Sequence, residues 1–365
     1  MFDSTTLKRF STLETPFYYY DLDLLKKSLD LYTNELNKYG FHAHFALKSN
    51  ANPKILNIIK GYGLGADCVS GNEVALALKL GFDSKKIVYA GVGKSDKEII
   101  TALNGDIFCF NCESIPEIEV INQLALNLNK VADISLRINP DVDAHTHKYI
   151  TTGRSQDKFG ISHWMFDDII QTIKRCSNIR LTGLHFHVGS QITDLNVFEM
   201  LSKRVNEIVS IFNDKGFYIY NINMGGGLGI DYSDPDSNPI PDYKTYFSII
   251  DKNLKRNTDQ AVHFEPGRAI VAQCGTLISR VLYVKLGKGK KFAILDAGMN
   301  DLIRPALYQA SHKVQNLSSS GRLLKYDVVG PVCESSDRFG KNILLPKTSR
   351  GDLIAIRSAG AYGQV

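Results

Sequence analysis

Lys48 closes the stretch Phe41-His-Ala-His-Phe-Ala-Leu-Lys48-Ser-Asn50, whose alternation predicts a short buried strand. A lysine where such a strand runs out is costly unless its ammonium finds a partner or sheds its proton. Two readings fit it: a side chain that reaches water along its own stem, or an amine able to form a Schiff base with an aldehyde. Two glycine-containing stretches lie far along the chain, Gly225-Gly226-Gly227-Leu-Gly229 and Glu265-Pro266-Gly267-Arg268. Glycines there could turn backbone N–H groups onto an anion, with Arg268 adding charge. An aldehyde and an anionic tail on one molecule describe pyridoxal phosphate. Glu265 beside the pyridine nitrogen would keep it protonated and make the ring a strong electron sink, as decarboxylation requires. Its plainer alternative is a salt bridge to Arg268. His187 and Ser190, in His187-Val-Gly-Ser190-Gln191, could stack on the ring and donate to the phosphate, against the alternative of a hydrogen-bonded core histidine.

A second chemistry competes. His42-x-His44 and His185-x-His187 each put two imidazoles on one face of a strand, as metal-dependent barrel hydrolases do. The strand ends lack the carboxylates such a centre needs, and the glycines stay unexplained, so no metal is expected. Cys109-Phe-Asn-Cys112 has redox spacing but no second pair to make a zinc site.

The elements that would position these groups repeat. Strands are predicted near 43–48, 65–69, 87–90, 107–110, 134–138, 181–187, 221–224 and 262–265. Helical patterns fall between them at 54–62, 72–80, 96–103, 115–127, 166–176, 197–213 and 243–254. Ahead of them, 17–21 reads as a strand and 22–39 as an amphipathic helix. Eight strands alternating with helices predict an α/β fold, a closed parallel (β/α)8 barrel of TIM type. Its chemistry would sit at the carboxyl ends of the strands: Lys48, then Asp67 and Ser70, Asn111, Arg137 and Asn139, then His187 and the two glycine stretches. Those stretches follow the seventh and eighth strands, where such barrels often bind phosphate. Past Gly267, segments 269–285, 291–296, 323–329 and 352–357 are rich in Val, Ile, Leu and Tyr and predict a C-terminal all-β domain. Residues 231–242, with three prolines, predict an exposed loop.

Composition narrows the function classes. The 365 residues carry 43 basic and 38 acidic side chains, a net charge of +5, mixed along the chain without a polybasic run, so no nucleic-acid partner is expected. The first ten residues lack the apolar core of a signal peptide, and no apolar run reaches membrane-spanning length. Six scattered cysteines fit reduced thiols in the cytoplasm better than a disulfide framework.

Taken as an ordered set, several stretches resemble the pyridoxal-phosphate-dependent decarboxylases of the alanine-racemase-like fold. They are Phe45-Ala-Leu-Lys48-Ser-Asn-Ala-Asn-Pro53, Asp157-Lys-Phe-Gly160, His187-Val-Gly-Ser-Gln-Ile192 and Asn223-Met-Gly-Gly-Gly227. They continue with Glu265-Pro-Gly-Arg268, Asp301-Leu-Ile-Arg304-Pro-Ala-Leu-Tyr308, Cys333-Glu-Ser335 and Ala359-Gly-Ala-Tyr362-Gly363. The resemblance implies a barrel over 22–268 and a β-domain built from 1–21 and 269–365, in a homodimer with shared active sites. It implies that Lys48 holds the cofactor, His187 stacks on it, and Glu265 pairs with its nitrogen. Gly226, Gly227 and Glu265 through Pro266 and Gly267 to Arg268 would line the phosphate. Arg268, Arg304 and Tyr308 would grip the substrate, and Tyr362 would close over both molecules. Cys333 and Glu334 would come from the partner subunit, Cys333 returning a proton; its alternative is an inert buried thiol. Glu334, where ornithine-type relatives carry aspartate, favours a substrate with a distal amino-carboxylate, meso-diaminopimelate, giving L-lysine and carbon dioxide. Carboxynorspermidine, ornithine or arginine would be the substrate of the alternative decarboxylases, and a non-catalytic regulator would lack the lysine. Relatives continue beyond the Tyr362 motif with a further strand, whereas this chain ends at Val365; losing that strand would expose a sheet edge and weaken a dimer.

Overall fold

The computed structural model describes residues 2–142 and 158–364. Asp157, first residue of one of the motifs above, lies outside the described residues. The chain divides into two compact units: one of residues 29–229 and 242–267, the other of 1–28, 230–241 and 268–365.

The first unit is a closed barrel of eight parallel strands, β2–β9, joined in sequence order with β9 pairing back to β2. They are β2 (His42–Ala46), β3 (Gly65–Cys68), β4 (Ile87–Tyr89), β5 (Cys109–Cys112), β6 (Ala132–Arg137), β7 (Ile179–His185), β8 (Asn221–Asn223) and β9 (Ala261–Phe264). Each predicted strand has its counterpart, though the one expected at 107–110 lies two residues later and so includes Asn111, and the one expected at 181–187 lies two residues earlier. The strand residues that face the helices are buried and largely apolar, Phe264 packing on Tyr246 and Phe247 of the helix Tyr243–Asn253, while alternate positions turn polar side chains such as Asn111, His185 and Asn223 inward. Helices cover it for the reason their periodicity gives. In Phe166–Arg175 the residues Phe166, Ile169, Ile170 and Ile173 are buried while Asp167 and Lys174 face water. Starts are capped as the sequence suggests. Ser70 and Ser114 accept from the N–H groups of Glu73 and Glu117, and Pro53 and Pro116 occupy first-turn positions that need no donor.

The second unit is built on a seven-stranded sheet. A short strand, β1 (Phe17–Tyr20), pairs with β10 (Gly275–Gly287). The remaining strands are β11 (Lys290–Leu295), β12 (Val314–Asn316), β13 (Leu323–Val329), β14 (Arg338–Pro346) and β15 (Leu353–Ile356), ordered β12-β15-β10-β11-β13-β14. Successive residues point to opposite faces. Leu277, Ile354 and Ile356 therefore join the cluster of Val281, Leu295, Val328 and Phe339, while Ile278, Leu353 and Ala355 pack against Phe10. The unit is mostly sheet, not all β as its composition suggests. Phe10 belongs to a helix over Ser4–Thr12 that the sequence reading left without structure, and shorter helices occupy Arg268–Val271 and Arg304–Tyr308. The expected strand from 269 therefore starts only at Gly275, whose Cα side faces Gly360 too closely for any Cβ. Residues 231–242 form neither helix nor strand up to Asp242, which caps the helix Tyr243–Asn253. Among the described residues no helix is long and apolar enough to cross a membrane.

Candidate active site

The carboxyl ends of the barrel strands carry a buried polar network centred on Glu265, the residue after β9. Its Oε1 accepts from Asn111 Nδ2 at 3.1 Å and Asn223 Nδ2 at 2.8 Å, and its Oε2 lies 2.9 Å from His185 Nε2. Burial alone would push this carboxyl up, but the imidazole of His185 and the positive charge of Lys48 bring it well below the ordinary carboxylate range. Glu265 is thus an anion held by three donors. Of these, sequence reading placed Asn111 at a strand end, kept Asn223 only inside a motif, and assigned His185 to the metal alternative. No signal in the chain couples positions 42 to 154 residues apart.

Lys48 sits in the single helical turn Leu47–Ser49 that follows β2, the neighbour of β9. Its Nζ is 3.6 Å from Asp67 Oδ2 on β3, too long for a hydrogen bond. Both Asp67 oxygens are fully buried without a hydrogen-bond partner. Burial, reinforced by the charge of Glu265, pushes the Asp67 carboxyl well up, so one proton resides there. A buried acid with neither oxygen hydrogen-bonded is rare in native proteins and marks a place where a further polar group belongs.

Gly225 and Gly227 have φ of 71° and 109°, and a Cβ on Gly225 would stand 2.1 Å from the carbonyl of Phe186. This close approach lets the 187–192 and 225–229 loops run side by side, with the Ile192 N–H donating to Gly227 O and the Gly229 N–H to Ile192 O. The N–H of Gly226 donates to Nδ1 of His187 at 3.3 Å. Burial, together with the cations Arg137 and Lys48, holds the His187 imidazole well below its ordinary value, so it is neutral. Ser190 lies half-buried in the same loop, and Pro266 O accepts from the Ala46 N–H, fixing the turn into Gly267. Next to this set, Arg137 pairs with Glu113 at 2.7 Å and lies over the Phe159 ring, while Gly160 N–H donates to the other Glu113 oxygen. The Lys158–Gly160 part of the motif thus ties into the ends of β5 and β6.

The two His-x-His pairs do not meet. His185 and His187 belong to the carboxyl end of β7, whereas His42 and His44 begin β2, where His44 bonds to His263 and to the Lys86 carbonyl. Among the described residues no group of three His, Cys, Asp or Glu could hold a metal. Cys109 and Cys112 are buried in β5, and burial pushes both thiols up, Cys109 to about 12.

In the sheet unit, two buried guanidinium groups share one aromatic residue. Arg268 Nη1 donates to Tyr232 Oη at 2.6 Å and lies 4.9 Å from the Tyr362 ring, while Arg304 lies 4.5 Å from the Tyr232 ring. Arg304 Nη1 donates to Nε2 of His312 at 2.8 Å, and Nδ1 of His312 donates to the Arg357 carbonyl at 2.8 Å. The bond accepted from Arg304 requires a lone pair on Nε2, so the two bonds together require a neutral imidazole protonated on Nδ1. Burial and Arg304 push His312 down to about 3, and burial pushes Arg304 down to about 10. Among the described residues no carboxylate pairs with the buried Arg304. Tyr308 ends the same short helix. Tyr232, read as part of an exposed loop, and His312 were missed by sequence reading. Cys333 and Glu334 are both exposed in a turn held by buried Asp337, which accepts from the N–H groups of Val332 and Met299. The alternative of a buried Cys333 thiol is excluded in this chain.

Comparison with known proteins matches this arrangement. Residues 22–272 fit the model of the pyridoxal-dependent decarboxylase, pyridoxal binding domain. The chain is 55% identical to diaminopimelate decarboxylase of Bacteroides thetaiotaomicron over 98% of its own length and 93% of that protein's. It is 41% identical to the Haemophilus influenzae enzyme of that name, over 96% and 84%. The crystal structure of diaminopimelate decarboxylase from Helicobacter pylori complexed with L-lysine superposes with a TM-score of 0.92 at 40% identity, covering 98% of this chain and 89% of that one. With the family model matching residues 22–272 and a relative 55% identical along nearly the whole chain, the chain belongs to the pyridoxal-dependent decarboxylases, in the group of the diaminopimelate decarboxylases.

Proposed function

We propose that this protein decarboxylates meso-2,6-diaminopimelate to L-lysine and carbon dioxide, the last step of lysine synthesis. The observation that carries the chemistry is the Glu265 carboxylate, kept ionised by His185, Asn111 and Asn223 at the same strand ends as Lys48. Bound pyridoxal phosphate supplies the electron sink that accepts the electron pair as the carbon–carboxylate bond breaks. Lys48 would hold the cofactor through its amine, and Glu265 would hold a proton on the ring nitrogen. His187, neutral and fixed by the Gly226 N–H, would pack its face on the ring. Asp67, Ser190, Gly226, Gly227, Pro266, Gly267 and Arg268 complete the proposed cofactor set, Tyr362 included.

Arg268, Arg304, Tyr308 and Tyr362 are proposed for the substrate. Arg304 suits the distal carboxylate because a planar guanidinium can meet it with two parallel N–H bonds, and Glu334 suits the distal ammonium. Cys333, exposed in its own chain, would return a proton to the α-carbon of a site in a second copy, which makes the enzyme a homodimer; its compartment would be the cytoplasm. The test is carbon dioxide release and the absorbance change on adding meso-diaminopimelate, ornithine, arginine and carboxynorspermidine in turn. Turnover of diaminopimelate alone is expected; turnover of one of the others instead would overturn the substrate. Cys333→Ala and Lys48→Ala, each inactive alone, are expected to regain part of the activity when mixed, because a mixed dimer would assemble one intact site. No recovery under conditions of subunit exchange refutes the shared site.

A further inference from the structure

The amino-terminal mouth of the barrel opens into a cavity of about 520 Å³, within the range that small-molecule sites occupy. Its lining includes the first residues of β2, β8 and β9 and the segment ahead of β4, whereas Lys48 and Glu265 follow the opposite strand ends. Three imidazoles line it, His42, His44 and His263, with Phe108 stacked 5.9 Å from His44 and Lys85 and Lys86 beside them. Among the described residues lining the cavity there is no Asp or Glu.

Counting protons shows what the mouth lacks. His44 Nδ1 lies 2.9 Å from the carbonyl of Lys86, His44 Nε2 lies 3.0 Å from His263 Nδ1, and His263 Nε2 lies 3.1 Å from Asn221 Oδ1. Both ends of this chain are acceptors, so the two outer ring nitrogens must each carry a proton. The contact between the rings needs a third. Two neutral imidazoles supply only two, and would set two lone pairs against each other. Turning the Asn221 amide over moves the conflict elsewhere, because its nitrogen already donates to Thr182 O at 3.3 Å. The Lys86 carbonyl is backbone and cannot turn. The arrangement is complete only as an imidazole–imidazolium pair, and such a buried cation needs an anion that the cavity wall does not contain.

We propose that this mouth is a second ligand site, taking a small aromatic carboxylate together with one proton shared by His44 and His263. The flat apolar body suits Phe108, Phe41 and the ring of His42, and the carboxylate suits the surplus positive charge. The titratable and charged groups that face the pair are His42, Lys85, Lys86 and Tyr62, with Glu265 across the barrel interior. Burial pushes His44 and His263 down; for His44 the Lys86 carbonyl and Glu265 pull the other way, while the charges of His42 and Lys86 add to the fall, and for His263 the other two imidazoles add to it against Glu265. The free pair is therefore short of its third proton near neutral pH, and a bound anion brings that proton in. Affinity for the anion rises as pH falls.

The test is calorimetric titration of the cofactor-loaded full chain with benzoate, and with benzamide as its uncharged counterpart, between about pH 6 and pH 8 in buffers of different ionisation heat. Uptake of about one proton per benzoate is expected, with Kd weakening about tenfold for each pH unit and benzamide failing to compete. Lys86→Met and, separately, Lys85→Met locate the site, and at least one is expected to weaken benzoate about tenfold. Each variant keeps the backbone carbonyl that anchors His44. Absence of benzoate binding, binding without proton uptake, equal binding of benzamide, or unchanged affinity in both lysine variants would each overturn the proposal. All are independent of decarboxylation.

Discussion

Glu265 and Arg304 are both buried charges, and the protein treats them in opposite ways. Glu265 has its charge answered within the barrel unit: three donors converge on two oxygens, and the carboxyl stays ionised. Arg304, in the sheet unit, is given a neutral imidazole and an aromatic face, neither of which cancels a full positive charge. A completed network fixes a charge for use in every turnover without reorganisation. An uncompensated one keeps a desolvation cost that only an incoming anion relieves. On the proposed assignment, this contrast would give the barrel unit the chemistry common to all substrates and the sheet unit the choice among them.

The sharpest way to break the comparison is to remove the Glu265 charge while keeping its hydrogen bonds. In Glu265→Gln the amide oxygen can still accept from Asn111 and Asn223. The amide NH2 can donate to His185, whose Nδ1 is buried without a partner and can take the ring proton instead. The fold is therefore retained, and kcat is expected to fall by about 10²- to 10³-fold, in line with losing one preorganised electrostatic group. Unchanged kcat with bound cofactor would show that the carboxylate is structural. A large fall in thermal midpoint would show that the network, not the charge, had been removed.

Arg304→Lys addresses the other side. Lysine keeps the charge but loses the planar pair of donors, and its ammonium need not reach His312. A fall in kcat/KM of about 10- to 100-fold is expected, seen mainly in KM and largest for diaminopimelate among the substrates tried. If kcat alone fell, Arg304 would belong with the chemistry and the division of labour between the units would fail.

How far these groups were legible follows from the same contrast. The barrel is a local pattern: each strand alternates with a helix, each helix shows its apolar stripe, and the strand ends are counted along the chain. The chain alone therefore places Lys48, Asn111, His187 and Glu265 at one end of the strands. The sheet unit is assembled from distant, irregular pieces. Strand β14 escaped notice because Gly340-Lys341-Asn342 reads as a turn, and Asn342 does adopt φ of 53° within it. The Ser4–Thr12 helix is short and mostly polar, with only Phe10 fully buried and Leu7 packed beside it, and Asp3 caps it by accepting from the Thr6 N–H at 2.7 Å. Tyr232 and His312 had no signal at all, since 36 residues separate Tyr232 from Arg268 and nothing in an aspartate- and proline-rich loop marks a tyrosine as an arginine's partner.

His312 offers the finest distinction, because it touches neither cofactor nor any group proposed to react. It accepts from Arg304 and donates to the Arg357 carbonyl, so it positions one guanidinium. In His312→Leu the Arg304 donor loses its acceptor in a buried place, at a cost of about 1–3 kcal/mol in stability. KM is expected to rise a few-fold with kcat nearly unchanged, and His312→Gln, whose amide oxygen can accept the same donor, should recover most of that rise. The pH dependence gives a second reading. Folded His312 is pushed down to about 3 from an ordinary 6.5, so the unfolded chain binds the proton first. Its contribution to stability is complete above about pH 6.5 and is lost as pH falls from there towards 3. Denaturant midpoints measured across that window should fall less steeply in His312→Leu than in the parent, by at most one proton in slope. An identical slope would mean that His312 is already charged in the folded protein, and the neutral bridge to Arg304 would have to be abandoned.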